Sequence, residues 1–164
     1  MDYSAFTTKY EGIVRELRND VVISSGYVEE NENPPVKSWR GLWDTGASSS
    51  CIHKRVRDYM HLIPLGTETI STANGSVEVD SHIIDVILPN KVIVKDLLVT
   101  SAEIGDDVDI LLGMDIFNLG AFSITNFKGE THHSLMIPAY KHVDYTQIAK
   151  TQNQIAQSHR KKKR

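Results

Sequence analysis

Apolar and polar residues alternate over short stretches along most of this chain, and Gly, Pro, Asn and Asp punctuate the stretches. Alternation at period two is the mark of strands with one buried face, so the pattern predicts many short strands and little helix. Residues 21–28 are rich in β-branched side chains and read as a strand. Residues 29–35 are acidic, Asn-rich and Pro-bearing and read as an exposed loop, after which 36–43 form the strand that runs into Asp44. Residues 7–17 fit two templates. Tyr10, Ile13, Val14 and Leu17 form a helical stripe, whereas the residues that follow read as the second arm of a hairpin; a strand is the expected element.

Further along, residues 68–79 predict a β-hairpin. Thr69-Ile70-Ser71-Thr72 and Val77-Glu78-Val79 flank Asn74-Gly75, a pair that takes the positive φ angles of a type I′ turn at little steric cost. A second hairpin is expected from 83–88 and 92–99 around Pro89-Asn90-Lys91, and 108–112 supply another strand ending at Gly113. Residues 51–60 predict a short helix with Ile52, Val56 and Tyr59 or Met60 on one face, stopping before Pro64. Residues 114–119 predict a helical turn, and 122–125 and 134–137 the closing strands. The class expected is mostly β, a barrel or folded sheet with one or two short helices.

A length of 164 residues favours one domain, here 21–140, with 1–20 as an extension pairing with it and 141–164 as a polar, basic, flexible tail. No apolar run approaches the length of a membrane span, so no membrane partner is expected, and a cytoplasmic protein is. The single Cys51 cannot form an intramolecular disulfide, in keeping with a reducing compartment. The formal net charge of -3 hides an asymmetry. Residues 141–164 carry seven basic side chains and one acidic, leaving 11 basic against 20 acidic before them. A basic run of this kind is more often a solvated end than a binding element, and the acidic body argues against a general basic footprint, so nucleic acid is not the expected partner.

The chemistry centres on Leu42-Trp43-Asp44-Thr45-Gly46-Ala47-Ser48, a carboxylate placed where an apolar strand turns. The tripeptide Asp-Thr-Gly is weak evidence alone. Here it is preceded by a strand, followed by the Asn74-Gly75 hairpin, and followed again by Ile110-Leu111-Leu112-Gly113-Met114-Asp115. Taken together, this order resembles the retropepsin-like aspartic peptidases over residues 21–138, with one Asp-Thr-Gly per chain, a hairpin flap, and a later apolar pair followed by Gly.

The resemblance implies a retropepsin-like barrel with a flap at about residues 72–77. It implies that Asp44 is catalytic, that the Thr45 hydroxyl bonds across a dimer axis, and that Gly46 lets the loop turn tightly. Ala47, Ser48 and Leu111, with Ala73, Asn74 and Gly75 of the flap, would contact an extended peptide or protein substrate. Leu111, Leu112 and Gly113 would pack beneath the catalytic loop. No metal or cofactor is implied. Met114 and Ser48 stand where retroviral enzymes pair an Arg with an Asp, so both halves of that ion pair are absent. Hydrolysis at such a site needs a base for water and an acid for the scissile group. With one Asp-Thr-Gly in the chain, the second carboxylate must come from another copy, so a homodimer is expected.

Other readings compete for these residues. Asp44 alone would serve as a turn cap, and a fold of this kind could be a dimerising or peptide-binding module with weak or no hydrolysis; the intact Asp-Thr-Gly favours the endopeptidase. Asp115 is expected to cap the short helix. Asp106-Asp107-Val108-Asp109 lacks the Gly and distal Glu of a calcium loop and reads as an acidic surface turn. His132 and His133 would point to opposite faces of a strand, and Cys51 beside His53 reads as a small buried thiol.

Overall fold

The computed structural model describes residues 2–26, 36–72 and 75–162. The expected loop at 29–35 and the flap residues Ala73 and Asn74 lie outside the described residues. Ten strands and three helices follow one another along the described chain. They are β1 (Ser4–Tyr10), β2 (Leu17–Gly26), β3 (Lys37–Trp43), β4 (Cys51–His53), α1 (Lys54–Met60), β5 (Gly66–Thr72), β6 (Gly75–Ile87) and β7 (Ile93–Ala102). After these come β8 (Ile110–Leu112), α2 (Met114–Phe117), β9 (Ala121–Phe127), β10 (Glu130–Ile137) and α3 (Tyr145–Lys162). The architecture is mostly β, as the alternation predicts.

Seven strands form one sheet in the order β2-β3-β8-β4-β7-β6-β5, and β2 also pairs with β6. That extra pairing closes six of them into a barrel, leaving β5 as a flange joined to β6 alone. A closed barrel has no open sheet edge, which removes the hazard of unpaired strand groups. The barrel is filled by Val21, Ile23, Ile52, Ile84, Val86, Val99, Ile110 and Leu112, all essentially inaccessible to solvent. Val56 and Met60 of α1 and Ile116 of α2 plug it from the sides. A separate three-stranded sheet, β1-β10-β9, lays Phe6, Phe122 and Leu135 against the barrel at Trp43.

Several boundaries differ from expectation for local reasons. The stretch expected as one helix from Cys51 is strand first, because Cys51 and Ile52 pair with β8 on one side and β7 on the other. The helix begins after His53, whose Nδ1 accepts the Arg55 amide at 3.1 Å, and it ends at His61 in the left-handed region. Met60 is buried and Tyr59 is half exposed, which decides between the two candidates for the apolar face. β1 and β2 do not form a hairpin with each other; β1 pairs with β10 in the small sheet, and β2 pairs with β3. β9 and β10 are longer than expected, joined by Lys128-Gly129 with φ of 53° and 84°, the positive pair of a tight hairpin turn.

Residues 145–162 form a helix where the sequence reading had a polar tail. Asp144 starts it, its Oδ1 accepting the Thr146 and Gln147 amides at 2.8 and 3.3 Å. Every residue from Tyr145 to His159 is exposed.

Candidate active site

The site is assembled where β3 ends. Strand β8 lies between β3 and β4, parallel to the first and antiparallel to the second, with Leu42 opposite Leu111 and Trp43 opposite Leu112. The ladder continues one step beyond Trp43, as the Asp44 amide donates to the Leu112 carbonyl at 3.0 Å. The chain then turns. Ala47 N–H donates to the Asp44 carbonyl at 3.2 Å, and Gly46 N–H donates to Asp44 Oδ1 at 2.8 Å. A Cβ on Gly46 would sit 3.1 Å from that same oxygen, so glycine lets the amide approach the carboxylate.

Asp44 is half buried, while Thr45, Gly46 and Ser48 are exposed and Ala47 is intermediate. Among the described residues Asp44 Oδ2 and the Thr45 hydroxyl make no hydrogen bond. Arg15, Glu16, Phe117 and Ile124 line an open depression together with Asp44 and Thr45.

A second layer fixes the loop from below. Met114 N–H donates to the Ala47 carbonyl at 2.9 Å. A Cβ on Gly113 would fall 2.7 Å from the Ser49 carbonyl carbon and 3.0 Å from the Ala47 oxygen, so only glycine allows the two backbones to touch. Ser50 is fully buried and joins the two segments. Its amide donates to Asp115 Oδ2 and its hydroxyl to Asp115 Oδ1, both at 2.7 Å, while Gly113 N–H donates to the Ser50 hydroxyl at 3.0 Å.

The expectation for Asp115 holds in part: Gly113 occupies the N-cap position of α2, Asp115 in its first turn accepts the Ile116 amide at Oδ1 at 2.9 Å, and the same carboxylate spans to the loop that carries Asp44. Sequence reasoning missed Ser50 altogether. The run Ser48-Ser49-Ser50 contained the signal, a third serine entering a buried strand, but nothing in it named the partner 65 residues away.

The structure therefore brings Asp44, Thr45, Gly46, Ala47, Ser48 and Leu111 into one neighbourhood. Gly75 lies on the β5–β6 hairpin opposite Thr72, with φ of 117°. Gly75 begins β6 and pairs with Thr72, so it is a strand residue and not part of the turn as expected.

The remaining candidates are used elsewhere. Asp109 is not on an acidic surface turn. It is buried, and its carboxylate meets Arg40 Nε at 3.0 Å and Arg55 Nε at 2.7 Å. Burial pushes the Asp109 carboxyl up, but hydrogen bonds from Arg40 and Arg55 outweigh it and hold it at about 2. Asp107 pairs with Arg18 at 2.7 Å. Among the described residues no group of three or more His, Cys, Asp or Glu is placed to hold a metal ion. Cys51 is buried and burial pushes its thiol up, while His53 directs Nδ1 to the Arg55 amide and Nε2 to Glu103. His132 is partly exposed and His133 fully buried, on opposite faces of β10. No helix among the described residues is long and apolar enough to cross a membrane.

Comparison with known proteins adds the following. A family model described as gag-polyprotein putative aspartyl protease matches residues 36–119, from just before β3 through α2. A retropepsin-like aspartic protease from Rickettsia conorii superposes with a TM-score of 0.53 over 84% of this chain and 97% of that one, at 13% identity. EIAV protease complexed with the inhibitor HBY-793 gives a TM-score of 0.47 over 63% of this chain and 86% of that one, at 19% identity. A search of the curated proteins returns no related sequence. At these identities the solved structures speak to the fold alone.

Proposed function

The chain belongs to the gag-polyprotein putative aspartyl protease family, of retropepsin-like fold, and from that premise we propose that it is an aspartic endopeptidase acting as a homodimer. Each copy supplies one Asp44 to a shared site on the two-fold axis. The observation that carries this reading is the state of the Asp44 loop. Its carboxylate is anchored through one oxygen to Gly46 N–H, and among the described residues its other oxygen and the neighbouring Thr45 hydroxyl make no hydrogen bond on this turn. A second copy across an axis through this turn supplies what is missing: a facing carboxylate, and a facing Thr45 loop.

In the paired site the two carboxylates share one proton and hold a water between them. The unprotonated one takes a proton from the water as its oxygen attacks the scissile carbonyl carbon, and the protonated one gives its proton to the carbonyl oxygen. Collapse of the tetrahedral species breaks the C–N bond as the amine is protonated, leaving one acid and one amine product. Substrate lies extended between the loop and the β5–β6 hairpin, recognised by main-chain bonds in the manner of an added strand. Ala47, Ser48 and Leu111 from below, and Ala73, Asn74 and Gly75 from the hairpin, are the residues proposed to touch it.

Digestion of a peptide pool by the wild type beside Asp44→Asn tests the reading. Cleavage lost in the variant is expected, and specific activity should fall on dilution through the dimer dissociation constant. Excess Asp44→Asn chains should poison the wild type by forming heterodimers with one ionisable carboxylate. Full activity in a demonstrably monomeric fraction, or cleavage retained by Asp44→Asn, overturns the shared site.

A further inference from the structure

The arginines before residue 160 divide sharply by what they hold. Arg18 pairs with Glu16 and Asp107, Arg40 and Arg55 pair with Asp109, and Arg57 pairs with Asp58 and Asp80. Arg15 has no carboxylate partner among the described residues, and it lines the depression that also contains Asp44 and Thr45. Its place there is set by the backbone on both sides. Val14 N–H donates to Thr131 Oγ1 at 3.2 Å, and Leu17 pairs with Trp43, the residue before Asp44. An exposed guanidinium is thus carried on an anchored segment to the rim of the candidate site.

The rest of the depression is mostly apolar, walled by Leu17, Leu42, Trp43, Phe117 and Ile124. A cation above apolar walls suits an anion on an apolar stem, because the stem covers the walls while the guanidinium takes both carboxylate oxygens. The acids already in the depression do not fill that role. Glu16 is held by Arg18, which donates to it from Nε at 3.0 Å and from Nη2 at 2.6 Å, and Asp44 is the group the chemistry uses. A second copy across the axis brings the same set, with its Glu16 equally committed.

We propose that Arg15 is a specificity-determining residue that takes the carboxylate of a glutamate side chain of the substrate, close to the cleaved bond. The inference rests on the peptidase reading and names the substrate class of that site. Glutamate fits better than aspartate, since its longer stem lies along the walls and still reaches the guanidinium. A neutral side chain would leave Arg15 unpaired as the substrate excludes water, and a basic one would be repelled.

The test is digestion of a randomised peptide library with the cleavage sites read by mass spectrometry, followed by matched peptides in which Glu is replaced by Gln. Glu should be enriched at one position within about three residues of the cleaved bond, and kcat/KM should favour the Glu peptide by at least about tenfold. Arg15→Gln should bring that ratio to within about twofold, and Arg15→Glu should move the preference to Lys. The ratio is the reading, so a general loss of activity does not imitate the result, and thermal unfolding checks that each variant is folded. The same peptides, fluorescently labelled and titrated against Asp44→Asn chains with and without Arg15→Gln, give the comparison by affinity. Glu-selective binding that needs Arg15, without cleavage by the wild type, overturns the peptidase reading and leaves Arg15 its ligand. Cleavage that needs Asp44 but shows no Glu preference overturns this proposal alone, and absence of both cleavage and selective binding overturns both. Sedimentation of Arg15→Gln supplies the remaining check: a weakened dimer with an unchanged Glu-to-Gln ratio makes Arg15 an interface residue and overturns the proposal.

Discussion

His133 should make this fold lose stability in mild acid, well before any carboxylate network fails. Its ring is fully buried on β10, both nitrogens lack hydrogen-bond partners among the described residues, and Phe6, Trp43 and Phe122 surround it at centroid distances of 5.3, 5.0 and 4.9 Å. An imidazolium there would have neither water nor an acceptor, and burial holds His133 down at about 4 against an ordinary 6.5. The folded state therefore binds fewer protons than the unfolded chain between those two values. Stability is full well above pH 6.5, declines as pH falls through the interval, and stops declining below about 4, where the folded state also takes up the proton. The whole gap corresponds to about 3 kcal/mol, of which about 2.5 is lost between about pH 7.5 and pH 4.5. For a domain of this size that is roughly 5–10 °C in melting temperature. The assay is urea unfolding across this range at one protein concentration, comparing wild type with His133→Phe and His133→Leu. Burial also lowers the pKa of His82 and adds a slope of the same sign, so the reading is the difference between proteins. Both variants should have the shallower decline. If they keep the wild-type decline, His133 is not the group that titrates, and the reasoning is wrong.

Asp115→Ala should strand the buried Ser50 amide and hydroxyl at about 1–3 kcal/mol for each group, and a double-mutant cycle with Ser50→Ala should show strong non-additivity. Additive unfolding energies would mean the two residues do not act as a pair. Gly113→Ala should destabilise by about 1–3 kcal/mol or more and abolish peptide cleavage together, since the new Cβ meets Ser49 and Ala47 backbone and not a yielding side chain. A folded, fully active Gly113→Ala protein would refute the contact. Asp109, like His133, stabilises the fold in its deprotonated form, but as an anion and at lower pH: its stabilisation is present above an ordinary 3.8 and is lost as pH falls toward about 2, worth about 2 kcal/mol. Asp109→Asn should remove that acid limb of the stability profile and leave the His133 limb untouched.

How far the chain could be read from its sequence depended on whether the determining contacts were local. The β6–β7 hairpin was legible because alternation and the turn at Pro89-Asn90-Lys91 both lie in one window, and Asp44-Thr45-Gly46 was legible because the loop is closed by its own amides. The α3 cap was equally local and went unread: Asp144 followed three residues later by Gln147 has the spacing of a capping box, but the polar composition around it looked like tail. β10 was under-read for a different reason. Its inward positions include Thr131 and His133, so the buried face is written partly in polar residues and the alternation is masked.

What no window could show is the insertion of β8 between β3 and β4, because parallel and antiparallel partners of a three-residue strand are chosen by the barrel as a whole. Yet that insertion is what makes the readable motif a site. It aims the Leu112 carbonyl at the Asp44 amide, brings Gly113 against the loop backbone, and carries Asp115 within reach of Ser50. Asp44 is thus held by its own turn on one side and by a segment nearly seventy residues later on the other. An aspartate whose backbone is held by Leu112 and whose carboxylate is held through one oxygen by Gly46 N–H has little further freedom to lose, and this is the physical ground of the proposal that a second copy completes the chemistry.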